Sequence, residues 1–301
     1  MLLYRAGMKT IKHSNYQFKS LLVIVISSFL CYDCWANTSN PDFSKKDSIP
    51  QRWVQISRGI DLLEIKAYTN SYLDDGKLTI IRIKPEHFDF QLISSTETKR
   101  TKPGQYWVES MGLNMLFNAG MYNLTDGRSH RYYMRNFRHQ NNSNLSVTEN
   151  GIIAFNPKNE TVPKFGLYDL TQSDWKMIDT SYNTIIQGLR MIDGKGNPVF
   201  WKDRLQSCSM IIIAQDRDSN VYIIFSKTPF TQNEMIVNLT NLPMRLINAV
   251  YLEGGSRSNL IVSTPNHKIQ QVGNFGSDKN SYKKNSIFYP FPNFIGLTLI
   301  P

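Results

Sequence analysis

The sequence predicts an α+β fold built mainly from antiparallel strands. Short apolar runs rich in β-branched and aromatic residues recur from Trp53 onward, turn residues separate them, and only two segments carry helical character. In order, the runs are Trp53–Ser57, Leu62–Tyr68, Leu78–Ile83 and Phe88–Ile93. Asp74-Asp-Gly76 and Lys84-Pro-Glu-His87 divide the later ones, so an antiparallel meander of these strands is expected. A helix is expected over Gln105–Met115. Two further strands, Ser209–Ala214 and Val221–Phe225, flank the turn Asp216–Asn220. A second helix is expected over Asn233–Leu242: Ile236, Leu239 and Leu242 recur near helical spacing, Thr231 or Asn233 can cap the start, and Pro243 ends it. A last apolar strand runs from Asn248 and stops at Glu253, followed by Gly254-Gly-Ser-Arg-Ser258.

The first 36 residues read as a secretory signal and not as part of the fold. Lys9, Lys12 and Lys19 precede the apolar core Leu21–Leu30, and Cys34-Trp-Ala36 suits cleavage before Asn37. The core is short for a bilayer crossing, so no stable membrane span is expected after cleavage; a retained anchor is the competing reading. Residues 37–52, with Pro41 and Pro50, form a polar lead-in, and 53–301 form one domain. The chain is expected to be exported, periplasmic or secreted.

The formal charge of +10 falls to +7 once four basic residues and one acid leave with residues 1–36. This basic excess is dispersed; its densest spots, Lys99–Lys102 and Arg128–Arg138, are short, and no nucleic-acid partner is expected. They read as solvated surface or, more sharply for Arg128–Arg138, as attraction to an anionic glycan or phosphate. Of the three cysteines only Cys208 follows the signal, which leaves the exported chain without an internal disulfide.

No Gly-x-Ser-x-Gly elbow, His-Glu-x-x-His or Cys-x-x-Cys occurs, so serine hydrolysis and structural zinc lack their usual spacings. No cofactor or metal is expected. The weak alternatives are a cation through Asp216 and Asp218, which otherwise read as turn residues, and a metal pair at His130 and His139. The strand-end carboxylate of Glu253 followed by two glycines is the most suggestive feature, since backbone without Cβ atoms lets a ligand approach. Alone it equally describes a Gly-rich turn with a solvated acid.

Three motifs in order resemble the phosphodiester glycosidase family, in particular its exported bacterial branch. They are Asn118-Ala-Gly-Met-Tyr122 after an apolar strand, Gln187-Gly188-Leu-Arg190 leading into Ile192-Asp-Gly194, and Asn248-Ala-Val-Tyr-Leu-Glu-Gly-Gly255 with Ser256 and Ser258. The resemblance spans roughly residues 53–265. It implies a hydrolase that cleaves a glycosyl–phosphate bond in a glycan or sugar phosphodiester. Glu253 and Asn118 would be the catalytic residues, Glu253 acting at the anomeric carbon. Gln187, Gly188, Arg190, Gly254, Gly255, Ser256 and Ser258 would bind substrate. A phosphate monoester leaves as a stable anion, so charge stabilisation outweighs proton donation, and one acid within a polar cradle can suffice.

The chain also departs from the family. Glu253 stands where Asp is usual, Gly188-Leu189 replaces Gly-Pro, and no Arg precedes the strand that starts near Gln206–Met210. The alternative implied by these departures is a catalytically silent carbohydrate- or envelope-binding protein on the same fold.

Overall fold

β1 (Val54–Ser57), β2 (Ile60–Lys66) and β3 (Lys77–Ile83) form an antiparallel meander, with Gly59 at φ 72° turning the first pair. The structure, a computed structural model, describes residues 52–71, 76–202, 206–274 and 286–301, all within the unit Ser48–Pro301. The expected signal, the lead-in up to Gln51 and Asp74-Asp75 lie outside the described residues.

The meander does not continue into a fourth strand, which corrects the sequence expectation. A 3-10 turn at Pro85–His87 instead carries the chain into β4 (Phe88–Ser94) of a second sheet. Phe88, Phe90 and Leu92 alternate onto one buried face there. After the short α1 (Ser95–Thr98) comes α2 (Gly104–Met111), which ends earlier than expected. Gly112 adopts φ 63° and caps it, so Met115 opens β5 (Met115–Asn118) instead of closing the helix.

The middle of the chain adds β6 (Met134–Asn136), β7 (His139–Asn142), β8 (Gly151–Pro157), β9 (Phe165–Asp169), α3 (Trp175–Ser181) and β10 (Tyr182–Ile192). Then follow β11 (Cys208–Gln215), β12 (Val221–Phe230), α4 (Gln232–Thr240) and β13 (Asn248–Gly254). The chain closes with β14 (Asn259–Ser263), β15 (Lys268–Val272) and β16 (Asn293–Leu299). Thr231 and Glu234 form a capping box on α4. Asn233, the other expected cap, is spent on the backbone of Trp201.

The large sheet runs β1-β2-β3-β12-β11-β13-β10-β6-β7, with β8 and β9 branching from β10; the small sheet runs β15-β14-β5-β16-β4. Every paired strand among the described residues is antiparallel. The principal core lies between the sheets, where Ile211, Ile213, Phe225 and Leu252 meet Phe90, Phe117, Ile295 and Leu297. α4 covers the other face of the large sheet through Met235, Ile236 and Leu239, and α2 covers the small sheet through Trp107 and Val108. Each such side chain contributes about 1.5–3 kcal/mol by leaving water, so helices on both outsides and apolar contact between the sheets hold the α+β architecture.

Candidate functional site

β13 runs between β11 and β10, and its last residues hold the acid that the sequence singles out. Pairing with β11 slips between Ile211↔Glu253 and Ile212↔Tyr251, leaving Leu252 as the extra residue of a β-bulge. Tyr251 packs in the outer core and Leu252 in the core between the sheets. Regular alternation would return Glu253 to the outer side; the bulge sets it instead directly opposite Ile211, on the side of the inter-sheet layer.

Glu253 is 9 % exposed. Its Oε1 accepts the Gly254 N–H at 2.9 Å, and its Oε2 has no hydrogen-bond partner in the protein. Burial drives its pKa from 4.5 up to about 8, against the opposing pull of the Gly254 N–H and the Arg257 charge. At neutral pH the side chain therefore carries a proton. Ser258 Oγ and Asn259 Oδ1, a few residues on, are likewise buried without partners. Unpaired buried polar atoms each cost about 1–3 kcal/mol, and their concentration between residues 253 and 259 marks this turn as a place where the fold gives up stability.

The glycines of this turn have packing reasons of their own. A Cβ on Gly254 would collide with the Tyr251 hydroxyl and lie 3.0 Å from Cys208 Sγ, and Gly255 sits at φ 67°. Gly255 and Ser258 are buried, Gly254 and Ser256 half-buried, and Arg257 exposed with its guanidinium 5.6 Å from the Tyr122 ring centre. Cys208 is a buried free thiol whose pKa burial lifts to about 11, which makes it a poor nucleophile at neutral pH.

Asn118 belongs to the same cluster. At the end of β5 and fully buried, it donates Nδ2 to the Arg257 carbonyl at 3.0 Å and accepts the Asn259 N–H at 2.6 Å. It thus pins the turn that follows Glu253. Gly120 next to it stands at φ 122°, where a Cβ would lie 2.5 Å from His130 Nε2. His130 is fully buried, its Nδ1 close to the Tyr132 backbone and its Nε2 unpartnered, and burial holds its pKa down at about 4. His139 instead reaches Thr96 Oγ1 at 2.9 Å.

Gln187 and Arg190 occupy a second cluster. Gln187 Oε1 accepts from Tyr133 and Ser146 N–H groups, and its Nε2 donates to the Ser146 and Glu149 carbonyls, so its amide is wholly engaged. It makes no hydrogen bond to Asn118 or Glu253. Gly188 faces Val250, where a Cβ would sit 2.6 Å from a methyl carbon. Arg190 pairs with the buried Asp169 and lines a cavity of about 270 Å³ with Glu149, Trp201 and Lys202. Burial would raise Asp169, but N–H groups of Thr171 and Gly194 together with Arg190 hold it below its ordinary value. The two clusters touch through Tyr251, whose ring meets Trp201 edge-on at 5.4 Å.

Sequence reasoning passed over Arg257, Tyr122, Tyr251 and Trp201. Arg257 had a usable signal, a cation four residues after Glu253; Trp201 had none, being placed by the pairing of its N–H with the Arg190 carbonyl at 2.9 Å. Asp216 is taken up by its own turn, accepting from Asp218, Asn220 and Tyr222. No cluster of three metal-ligating side chains occurs among the described residues, and no described helix is long and apolar enough to cross a membrane.

No protein-family model matches the chain, and no curated protein matches it. Solved structures do. The catalytic domain of zebrafish N-acetylglucosamine-1-phosphodiester α-N-acetylglucosaminidase, auto-inhibited by its pro-peptide, is similar with a TM-score of 0.56 at 9 % identity, over 82 % of this chain and 86 % of that one. The likeness is one of fold. A hypothetical protein from Synechocystis is similar at a TM-score of 0.57 and 12 % identity, over 84 % of this chain and 64 % of that protein's length.

Proposed function

We propose that this chain is an exported hydrolase that cleaves the glycosyl–phosphate bond of a glycan or sugar phosphodiester, with Glu253 at the reacting centre. The observation that carries the reading is the buried, half-satisfied Glu253 carboxyl at the bulged end of β13, on a fold similar to that of a phosphodiester α-N-acetylglucosaminidase catalytic domain. The protonation state revises the role expected from sequence. A carboxyl with pKa about 8 holds its proton at pH 7 and is suited to donate it, not to attack.

Water adds to the anomeric carbon as the bond from that carbon to the bridging oxygen breaks. Glu253 gives its proton to the departing oxygen and regains one from the attacking water, so sugar and phosphate monoester leave with protons balanced. Arg257 and the backbone of the Gly254–Ser258 turn face the anionic product. The pro-peptide inhibition named for the zebrafish domain is a property of that protein.

A second reading, a catalytically silent saccharide-binding protein, is favoured by one observation: the amides of Asn118 and Gln187 are both committed to the protein's own backbone. Incubation with N-acetylglucosamine α-phosphodiesters, followed by NMR of released sugar, separates the two. Release that disappears in Glu253→Gln and declines above pH 8 in the native protein is expected; binding without release overturns the enzyme reading. Export is tested by fusing residues 1–36 to a reporter active only outside the cytoplasm, with a silent reporter overturning it.

A further inference from the structure

At the other end of β13, five residues and about 17 Å from Glu253 along the strand, three loops bring cations together. Lys195 comes from the turn after β10, Arg217 from the turn between β11 and β12, and Arg245 from the link between α4 and β13. They line a cavity of about 390 Å³ whose floor is Leu239, Leu246 and Ile247. No acidic side chain lines it, and none of the three cations joins an ion pair among the described residues. Two acids of the neighbouring turns are taken up by the turns themselves: Asp193 accepts from Lys195 N–H and Asn197, and Asp216 from Asp218 N–H, Asn220 and Tyr222; Asp218, beside Arg217, is exposed and does not line the cavity.

The frame that presents the cations is rigid. The Ile247 N–H donates to the Gln215 carbonyl, tying the Arg245 loop to the end of β11, and Gly196 at φ 90° packs its Cα side against the Leu246 carbonyl. Arg245 itself stands at φ 51°, in the left-handed region that an L-side chain occupies only under strain. Like charges converging without counter-charges repel one another, and here one of them is also held in strained backbone. Both costs are offset when an anion joins the three.

We propose that this cavity is a binding site for a phosphomonoester dianion on a small molecule of sugar-phosphate size, separate from the Glu253 centre. Two negative charges match a three-cation rim better than a single carboxylate does, and the apolar floor accepts the carbon face of the ligand while the rim holds the phosphate.

The test is calorimetric titration of the whole protein at low salt with glucose 6-phosphate, inorganic phosphate and glucose, alongside sedimentation with anionic phosphatidylglycerol vesicles. Glucose 6-phosphate should bind and glucose should not. Losing one charge-assisted contact should weaken binding about tenfold in each of Lys195→Ala, Arg217→Ala and Arg245→Gly. Arg245→Gly is the decisive variant, because glycine accepts φ 51° and so removes the charge while relieving the backbone; its fold should be at least as stable as that of the native protein. Equal binding of glucose, unchanged affinity in Arg245→Gly, or loss of binding in Arg257→Ala with these three intact would overturn the proposal. So would vesicle association in the absence of glucose 6-phosphate binding, which would assign the cations to a lipid surface.

Discussion

Replacing Glu253 by Gln probes the buried carboxyl through stability, without any assumption about substrate. Glutamine has nearly the same shape, and its Oε1 can still accept the Gly254 N–H, but it cannot ionise. In the native protein the carboxyl titrates near 8 when folded and near its ordinary 4.5 when unfolded. Between those values the folded state binds the extra proton, so stability falls as pH rises from 4.5 to 8 and is level on either side. The full effect is on the order of 5 kcal/mol, from about 1.4 kcal/mol for each pH interval of one. His130 acts in the opposite sense: folded near 4 and unfolded near 6.5, it adds stability as pH rises through that interval. The window from 6.5 to 8 therefore isolates Glu253, with about 2 kcal/mol expected. Urea unfolding of both proteins at pH 5, 6.5, 8 and 9 measures it. The native protein should lose stability relative to Glu253→Gln steadily from pH 5 to 8 and little further by pH 9, since His130 is common to both proteins. A constant difference between the two would refute the placement of an uncompensated carboxyl inside the fold.

Gly120→Ala should destabilise by about 2–4 kcal/mol, read from the thermal midpoint, because the new Cβ meets His130 in a backbone conformation suited to glycine. Asn118→Ala leaves the Asn259 N–H unpaired, while the Arg257 carbonyl keeps its bond from Asn259 Nδ2, and should cost about 1–3 kcal/mol by chemical unfolding, whether or not substrate is present. Thr231→Ala removes one half of the α4 capping box and should cost about 1 kcal/mol in the same assay. Cys208 should react with a thiol reagent only on unfolding, giving a slow rate at pH 7 that denaturant abolishes as a barrier.

What could be read from the chain divides along physical lines. Strands with continuous apolar runs, such as β11 and β12, and the capped helix α4 declare themselves locally, because burial on both faces and a Thr-x-x-Glu cap are written in consecutive residues. β6 and β7 do not: Met-Arg-Asn and His-Gln-Asn-Asn carry no apolar alternation and become strands only by pairing with each other and with β10. The departure of β4 into the second sheet was equally hidden, since its partner β16 lies some two hundred residues away. In the site, the proximity of Asn118 to the turn after Glu253 comes from the pairing of β5 with β14, which joins residues about 140 positions apart. The commitment of Gln187 to the 146–149 loop is a long-range fact that no local pattern states.

The bulge sets where the acid at the end of β13 points. In a regular strand the acid would alternate onto the outer face beside Tyr251 and α4, where an apolar core leaves no room for it. Slipping one residue at Leu252 turns it inward, next to the Asn118-pinned turn, and its Oε1 then folds back onto the Gly254 N–H. That return bond leaves Oε2 uncommitted. The direction of the carboxyl is therefore set by backbone register and its charge state by burial. Because β13 is central to the large sheet and fixed on both sides by β10 and β11, that direction cannot change without disturbing the ladder that holds the fold together.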